Sequence, residues 1–481
     1  MLNSGSGLKK KKMDRRKFLR NSGFLGLGSV LVTPSLAMGS SSVWTPPANG
    51  PQRTAKNIIF LVSDGMSIGT LTMADAMMRR KLGKRSRWIE AYETGSVKRA
   101  LMDTASADAL VTDSAAAGSS WGGGVRVPNG KLNMSAEGEK FEPILQKFKK
   151  AGKSVGCVTT VQITHATPAS FCVNMKHRSM QDEIAAAYLD LKFDVMMGGG
   201  LEHFDGTKRK DKRDLFGDFS KNGFGVAKTK AEMNALANTN KPVLGVYHEN
   251  GLPYTIDHRS DKTLQETIPT LAEMTSFAIE KMKSNSEGFV LQVEGGKVDW
   301  AAHGNDTGGI IYDQEAFDDA VGVALDFAAK NEDTLIVITT DHGNSNPGLF
   351  YGKDSDKNFE KIFTAKHSNE WILKEVNRES SVKQVIERVE FASNCVLTDA
   401  EALDLLGYLA TVDPNAEYNP YKLPFEKLAQ LQKSHTNIGW AANTHTADFV
   451  ELGMYGAGAE MLTPFVKNSD LHNFMLVAAG V

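Results

Sequence analysis

The chain has 481 residues, of which 41% are apolar and 23% charged, with a formal net charge of −2. This is ordinary globular composition, and it excludes a disordered tail protein, a collagen-like fibre and a small disulfide-stapled scaffold. Near-equal counts of 55 basic and 57 acidic side chains imply no nucleic-acid-binding surface, and three cysteines cannot sustain a disulfide network.

In chain order the first feature is a basic start. Residues 1–37 carry eight Lys and Arg and one acid, Asp14, which leaves a formal −9 on the remainder. Lys9 to Lys12 precede Asp14-Arg15-Arg16-Lys17-Phe18-Leu19-Arg20 and then a mild apolar run from Phe24 to Ala37. That run is too short and too rich in Gly and Ser to span a bilayer, and Ser35-Leu36-Ala37 supplies a small-x-small cleavage site. The paired arginines before Phe-Leu resemble a twin-arginine signal, so residues 1–37 read as a signal peptide that exports an already folded protein. Either Met1 or Met13 serves as the start. The expectation is a periplasmic or secreted protein with the export machinery for folded proteins as a partner. Residues 38–54, rich in Ser, Pro and Gly, read as a linker.

Beyond it, short runs rich in Val and Ile alternate with helix-like segments. The clearest strands are Asn57–Val62, Ser154–Thr160, Phe193–Met197, Gly288–Val293, Thr334–Thr340 and Phe449–Tyr455. Runs apolar on both faces, separated by helices, predict a parallel sheet covered on both sides. Leu271–Lys283 reads as a helix, with Thr270 and Glu273 placed as a capping box behind Pro269. The charged run Lys208–Asp214 reads as a solvated loop.

The chemistry lies just past the strand ends. Val62 leads into Ser63-Asp64-Gly65, Val293 into Glu294-Gly295-Gly296, and Thr340 into Asp341-His342-Gly343. Ligands of open parallel sheets bind outside the carboxyl ends of strands, so these acids converge on one crevice. A single Asp-Gly there is usually a turn; three acids at equivalent ends, one beside a His, point to a metal site. Asp299 and His303 stand at i and i+4, adjacent on one helical face, and His445 precedes the last strand. This donor set suits two zinc-like ions in mixed N/O coordination, while Glu294 and nearby hydroxyls suit the harder Mg²⁺. Thr112-Asp113-Ser114-Ala115-Ala116-Ala117 offers a nucleophile. Asp113 or Ser114 can equally cap an Ala-rich helix, but a Ser at a helix N-terminus also sits where backbone N–H groups favour an anion.

Taken together these motifs resemble the alkaline phosphatase family over roughly residues 55–480: Asp64 in Val-Ser-Asp-Gly-Met, Ser114 in Thr-Asp-Ser-Ala-Ala, Thr167 in His-Ala-Thr-Pro-Ala, Glu294 in Val-Glu-Gly-Gly, Asp299 with His303, Asp341-His342 and His445. The resemblance implies an α/β three-layer sandwich with a large, mostly parallel central sheet over residues 55–481. It implies a phosphomonoesterase that uses two Zn²⁺ and one Mg²⁺ and acts on small phosphate monoesters. By motif, one zinc takes Asp299, His303 and His445; the second takes Asp64, Asp341 and His342, beside the nucleophile Ser114. Magnesium takes Asp64, Thr167 and Glu294. Arg178 falls where the family places its phosphate-binding arginine, with Asp113 orienting it. His165 and Trp300 stand where some members carry an acid beside the magnesium and a Lys near the phosphate. The 102 residues between His342 and His445, with a Pro/Asn/Tyr patch at Pro414–Pro420, are similar to a crown or large-loop insertion, about 346–440, that in relatives contacts a second subunit. A homodimer is the corresponding expectation. The alternative is a two-metal phosphodiesterase of the same superfamily, which usually carries Thr as nucleophile and lacks the Glu294/Thr167 set. The state of Cys157, Cys172 and Cys395 is left open, with Cys157 read as a buried thiol.

Overall fold

The computed structural model describes residues 54–409 and 423–481. The signal-peptide reading of 1–37, the linker up to residue 53 and the Pro414–Pro420 patch lie outside the described residues. In chain order the strands are β1 (Asn57–Val62), β2 (Lys98–Asp103), β3 (Ser154–Gln162), β4 (Val195–Gly199), β5 (Gly225–Ala227), β6 (Val243–Val246), β7 (Phe289–Glu294) and β8 (Thr334–Thr339). Four two-residue strands come next, β9 (Gly343–Asn344), β10 (Gly348–Leu349), β11 (Ile438–Gly439) and β12 (His445–Thr446), and then β13 (Val450–Gly456) and β14 (Phe465–Lys467).

Ten of these form one sheet in the order β14-β2-β13-β8-β1-β7-β3-β4-β6-β5. All neighbours run parallel except β13, which is antiparallel to both β2 and β8. Every residue of β1, β3, β4, β6, β7 and β8 is buried, the signature of strands covered on both faces. The alternation of β1 shows how. Ile58, Phe60 and Val62 join one core with Trp121, Phe171 and Phe474, while Ile59 and Leu61 join another with Met274, Phe317 and Val321. Helices Ser114–Gly123, Ala166–Cys172 and Asp470–Ala479 cover the first face; Leu271–Met282 and Thr307–Ala328 cover the second. Helix, sheet, helix makes three layers.

Differences from the sequence expectations have physical causes. β4 begins at Val195, and Phe193, just before it, packs in the core against Tyr188, Phe219 and Phe224. β2 has two exposed basic residues at its start and only two buried positions, so no apolar run marks it. Within the charged run, Arg209 is buried, not solvated: its guanidinium donates to the carbonyls of Asp182 and His203 and pairs with Asp211. The capping box at Thr270 and Glu273 is formed. Cys157, Cys172 and Cys395 are free and buried, and the Cys157 and Cys172 sulfurs lie 3.8 Å apart.

Between the antiparallel pair β10 and β11, five α-helices occur among the described residues: Ser355–Glu360, Asn369–Glu375, Val382–Ser393, Asp399–Leu409 and Phe425–Thr436. They carry a core of their own, including Ile372, Val385, Val389, Leu405 and Leu428.

Candidate metal centre and nucleophile

Sheet register brings the acids together. Val62 of β1 pairs with Glu294 on one side and Thr339 on the other, so Asp64 and Asp341 both stand two residues past a paired position. Thr159 pairs with Glu294 from β3. Gly65, next to Asp64, has φ +67°, and a Cβ there would lie 2.5 Å from Asp299 Oδ1 and 2.9 Å from Asp299 Cα. Glycine therefore lets the β1 turn press against the helix Lys297–His303, which presents Asp299 and His303.

His445 arrives by a different device. In the β9–β12 pair it sits opposite Asn344, three residues past Asp341. Its ring stacks on His342 at 3.7 Å between centroids. His445 Nε2 is 3.1 Å from His303 Nε2 and 3.7 Å from Asp299 Oδ1, and His303 Nε2 is 3.5 Å from Asp299 Oδ2. The opposite ring nitrogens are tied to backbone carbonyls, His303 Nδ1 to Asn443 O at 2.9 Å and His445 Nδ1 to Thr112 O at 2.9 Å. That arrangement leaves both Nε2 lone pairs facing one point, as a metal-binding histidine requires. Asn344 Nδ2 donates to Asp299 Oδ1 at 2.7 Å and fixes the carboxylate.

Deeper, Asp64, Glu294, Asp299 and Asp341 are all buried. Asp341 Oδ1 accepts from the N–H groups of Gly65 and His342, but its Oδ2 has no donor, nor have Asp64 Oδ1 and Glu294 Oε1. His342 Nε2 lies 3.1 Å from Asp341 Oδ2 and 3.6 Å from Asp64 Oδ1. Glu294 Oε2 accepts from Thr159 Oγ1 at 2.5 Å, and Thr167 Oγ1 lies 3.5 Å from Asp64 Oδ2.

Three groups have donor atoms within 4.8 Å of one another: Asp299, His303 and His445; Asp64, Asp299 and His342; and Asp64, His165 and Glu294. Burial, and then the neighbouring charges of Asp341, Asp299 and Glu294, push Asp64 well above the usual carboxylate range. Burial likewise lifts Glu294 to about 7. Burial alone would raise Asp299 too, but His303, His445 and His342 hold it below that range. Buried like charges with orphaned oxygens are costly unless a cation sits among them. The residues present therefore fit divalent ions: mixed N/O donors suit zinc, and the oxygens of Asp64, Glu294 and Thr167 suit magnesium.

Ser114 opens the helix Ser114–Gly123, with Asp113 as N-cap accepting from Ala116 N at 2.9 Å. The capping reading holds, with Asp113 as the cap, and Ser114 Oγ lies 3.3 Å from His342 Nε2. The other Asp113 oxygen accepts from Gly130 N and from Arg178 Nη1 at 3.1 Å. Arg178 Nη2 reaches His165 Nε2 at 3.0 Å. Burial and the adjacent guanidinium lower His165 to about 3, so it accepts this bond as a neutral imidazole. Trp300 packs edge-on to His165, 6.1 Å between ring centroids. Sequence reasoning misses Thr159 and Asn344. Asn344 has a visible signal, standing third after Asp341 in the Asp-His-Gly-Asn run, whereas Thr159 is one of many strand hydroxyls.

The alkaline phosphatase family model matches residues 55–481. Alkaline phosphatase 4 of Bacillus subtilis is 31% identical over 428 residues, covering 87% of this chain and 88% of its own. The Escherichia coli alkaline phosphatase is 30% identical over 335 residues, 61% of this chain and 71% of that protein. Among solved structures, the Thermus thermophilus alkaline phosphatase superposes with a TM-score of 0.83 at 31% identity, covering 92% of this chain and 95% of that one.

Proposed function

Because the chain belongs to the alkaline phosphatase family and is a phosphomonoester hydrolase, we propose that it works through a phosphoserine at Ser114, beside two zinc ions and one magnesium ion. One zinc is assigned to Asp299, His303 and His445, the second to Asp64, Asp341 and His342, and magnesium to Asp64, Thr167 and Glu294. The observation that carries this reading is the buried quartet Asp64, Glu294, Asp299 and Asp341, three of whose oxygens lack any donor, next to a serine at a helix N-terminus.

When bound, the ions would lower the pKa of the serine hydroxyl and of a water and would offset charge on the leaving oxygen. Arg178, held by Asp113 and His165, forks two non-bridging oxygens of the phosphoryl group. Ser114 Oγ bonds to phosphorus as the ester P–O bond breaks, releasing the alcohol. Water then attacks the same phosphorus, giving inorganic phosphate and restoring the serine. The helix N-terminus at Ser114 directs backbone N–H groups at the transferred group throughout.

The purified holoenzyme should hydrolyse p-nitrophenyl phosphate far faster than its bis-ester, and chelation should abolish both activities. A preference for the bis-ester would establish the phosphodiesterase alternative instead. Export by the twin-arginine route, and association as a homodimer, are part of the same proposal. Changing both Arg15 and Arg16 to Lys should strand active enzyme in the cytoplasm, and unchanged periplasmic activity would refute that route.

A further inference from the structure

A cavity of about 600 Å³ opens directly beside His303, a size typical of small-molecule sites. It is lined by Trp300, His303 and Gly304 beside the site and by Leu423, Pro424 and Phe425 from the segment between β10 and β11. We propose that this cavity is a leaving-group subsite that takes a planar, ring-bearing alcohol without negative charge, of which a nucleoside is the fitting class. The proposal rests on the phosphatase reading above, because it needs the ester oxygen to depart on the side of Asp299, His303 and His445.

The aromatic wall is held in place before any ligand arrives. The buried Lys297 ammonium lies 3.5 Å from the Tyr254 ring centroid and 4.5 Å from that of Trp300. The backbone at Gly251 presses on the same indole: a Cβ there would sit 2.9 Å from its Cζ3. Phe425 is set close to the chain at Gly304, where a Cβ would meet its ring at 3.4 Å. A ring entering the cavity thus meets rigid aromatic surfaces, which favour stacking at little entropic cost. Gln162, also on the cavity wall, donates to Asn250, while its own Oε1 is shielded from solvent and has no donor.

Charge sets the other half of the selectivity. Of the charged lining residues, Lys427 is engaged by Asp404 at 2.6 Å and Glu370 interacts with the buried Lys297 ammonium behind the aromatic wall, which leaves Glu426, among the described residues, as the carboxylate facing the cavity without a cation. A leaving group that itself carries phosphate would bring negative charge into this field. A nucleoside monophosphate should therefore outrun the corresponding diphosphate, and a simple polyol phosphate should gain nothing from the rings.

The test compares adenosine 5′-monophosphate, adenosine 5′-diphosphate and glycerol phosphate on the zinc- and magnesium-loaded enzyme. The monophosphate should exceed glycerol phosphate about tenfold in kcat/KM, the scale of one base stacked on an aromatic side chain. Phe425→Ala should bring that ratio toward one with unchanged metal content. Glu426→Lys, an exposed substitution that spares the packing, should raise the diphosphate relative to the monophosphate several-fold. Adenosine, which has no phosphate, should give a calorimetric binding signal that Phe425→Ala weakens. Equal kcat/KM for the monophosphate and glycerol phosphate, with no adenosine binding, overturns the subsite while leaving the phosphatase reading intact. Adenosine binding that depends on Phe425, in an enzyme that hydrolyses none of the three, upholds the subsite and sinks the phosphatase reading.

Discussion

Arg178 is held on two sides before substrate binds, by Asp113 at 3.1 Å and by the neutral His165 at 3.0 Å. A monoester offers it three non-bridging oxygens, whereas a diester has replaced one of them with an ester group. Arg178→Ser should therefore lower monoester kcat/KM about 10²–10³-fold, roughly 3–4 kcal/mol, and weak diester activity much less. Equal losses would show that Arg178 positions the fold or the metals. Gly65 makes a second residue-scale prediction. At φ +67°, with Asp299 Cα 2.9 Å from a would-be Cβ, Gly65→Ala combines left-handed strain with a backbone collision. A loss of about 2–4 kcal/mol in thermal unfolding, with depleted zinc, is expected, and full metal content and activity would contradict the close approach. The sequence could show Gly65 only as a turn residue after a strand, because the helix it presses against begins more than 200 residues later. Arg209 departs from its sequence expectation for a related reason. Its charge says surface, while the carbonyls of Asp182 and His203 that it reaches are brought to it only by the fold.

The strands and the acids at their ends were legible because an all-apolar run has one meaning in a parallel sheet and its C-terminal turn one place. His445 was legible as a motif but not as a position. Only the β9–β12 pairing, opposite Asn344, brings it back across 102 residues. Among the helices, Thr307–Ala328 is the one whose burial outruns its composition: Asp313, Gln314, Glu315 and Asp318 are all buried on it. Burial lifts Asp313 to about 7, against hydrogen bonds from Thr255 N and Oγ1 and the charge of Lys297, which lower it. With the folded pKa above the unfolded one, the native state binds a proton that the unfolded chain has lost between about pH 4 and pH 7. The group's contribution to stability is complete below the unfolded value and is lost as pH rises through about 7. Asp313→Asn keeps both Thr255 contacts if the threonine hydroxyl turns. It should stabilise the metal-loaded protein by on the order of 2–4 kcal/mol at pH 8, and by little at pH 4. Urea unfolding at the two pH values checks this; a gain independent of pH would mean that Asp313 is not protonated in the fold.

At the scale of the whole molecule, one sheet gathers the site at the carboxyl ends of four adjacent strands, β8, β1, β7 and β3, with helices on both faces. The segment between β10 and β11 carries helices of its own and contributes Leu423, Pro424 and Phe425 to the lining of the cavity beside His303. Its helices carry no parallel-strand signature, so its internal packing was not legible in the sequence. Ser114, at a helix N-terminus and 3.3 Å from His342 Nε2, is the residue proposed to take the phosphoryl group. Mixing the metal-loaded enzyme with a monoester, quenching in acid and sequencing the labelled peptide by mass spectrometry tests it directly. A phosphate on Ser114, absent in Ser114→Ala, is the expected result. Turnover without a labelled serine, or a label on another residue, would contradict it.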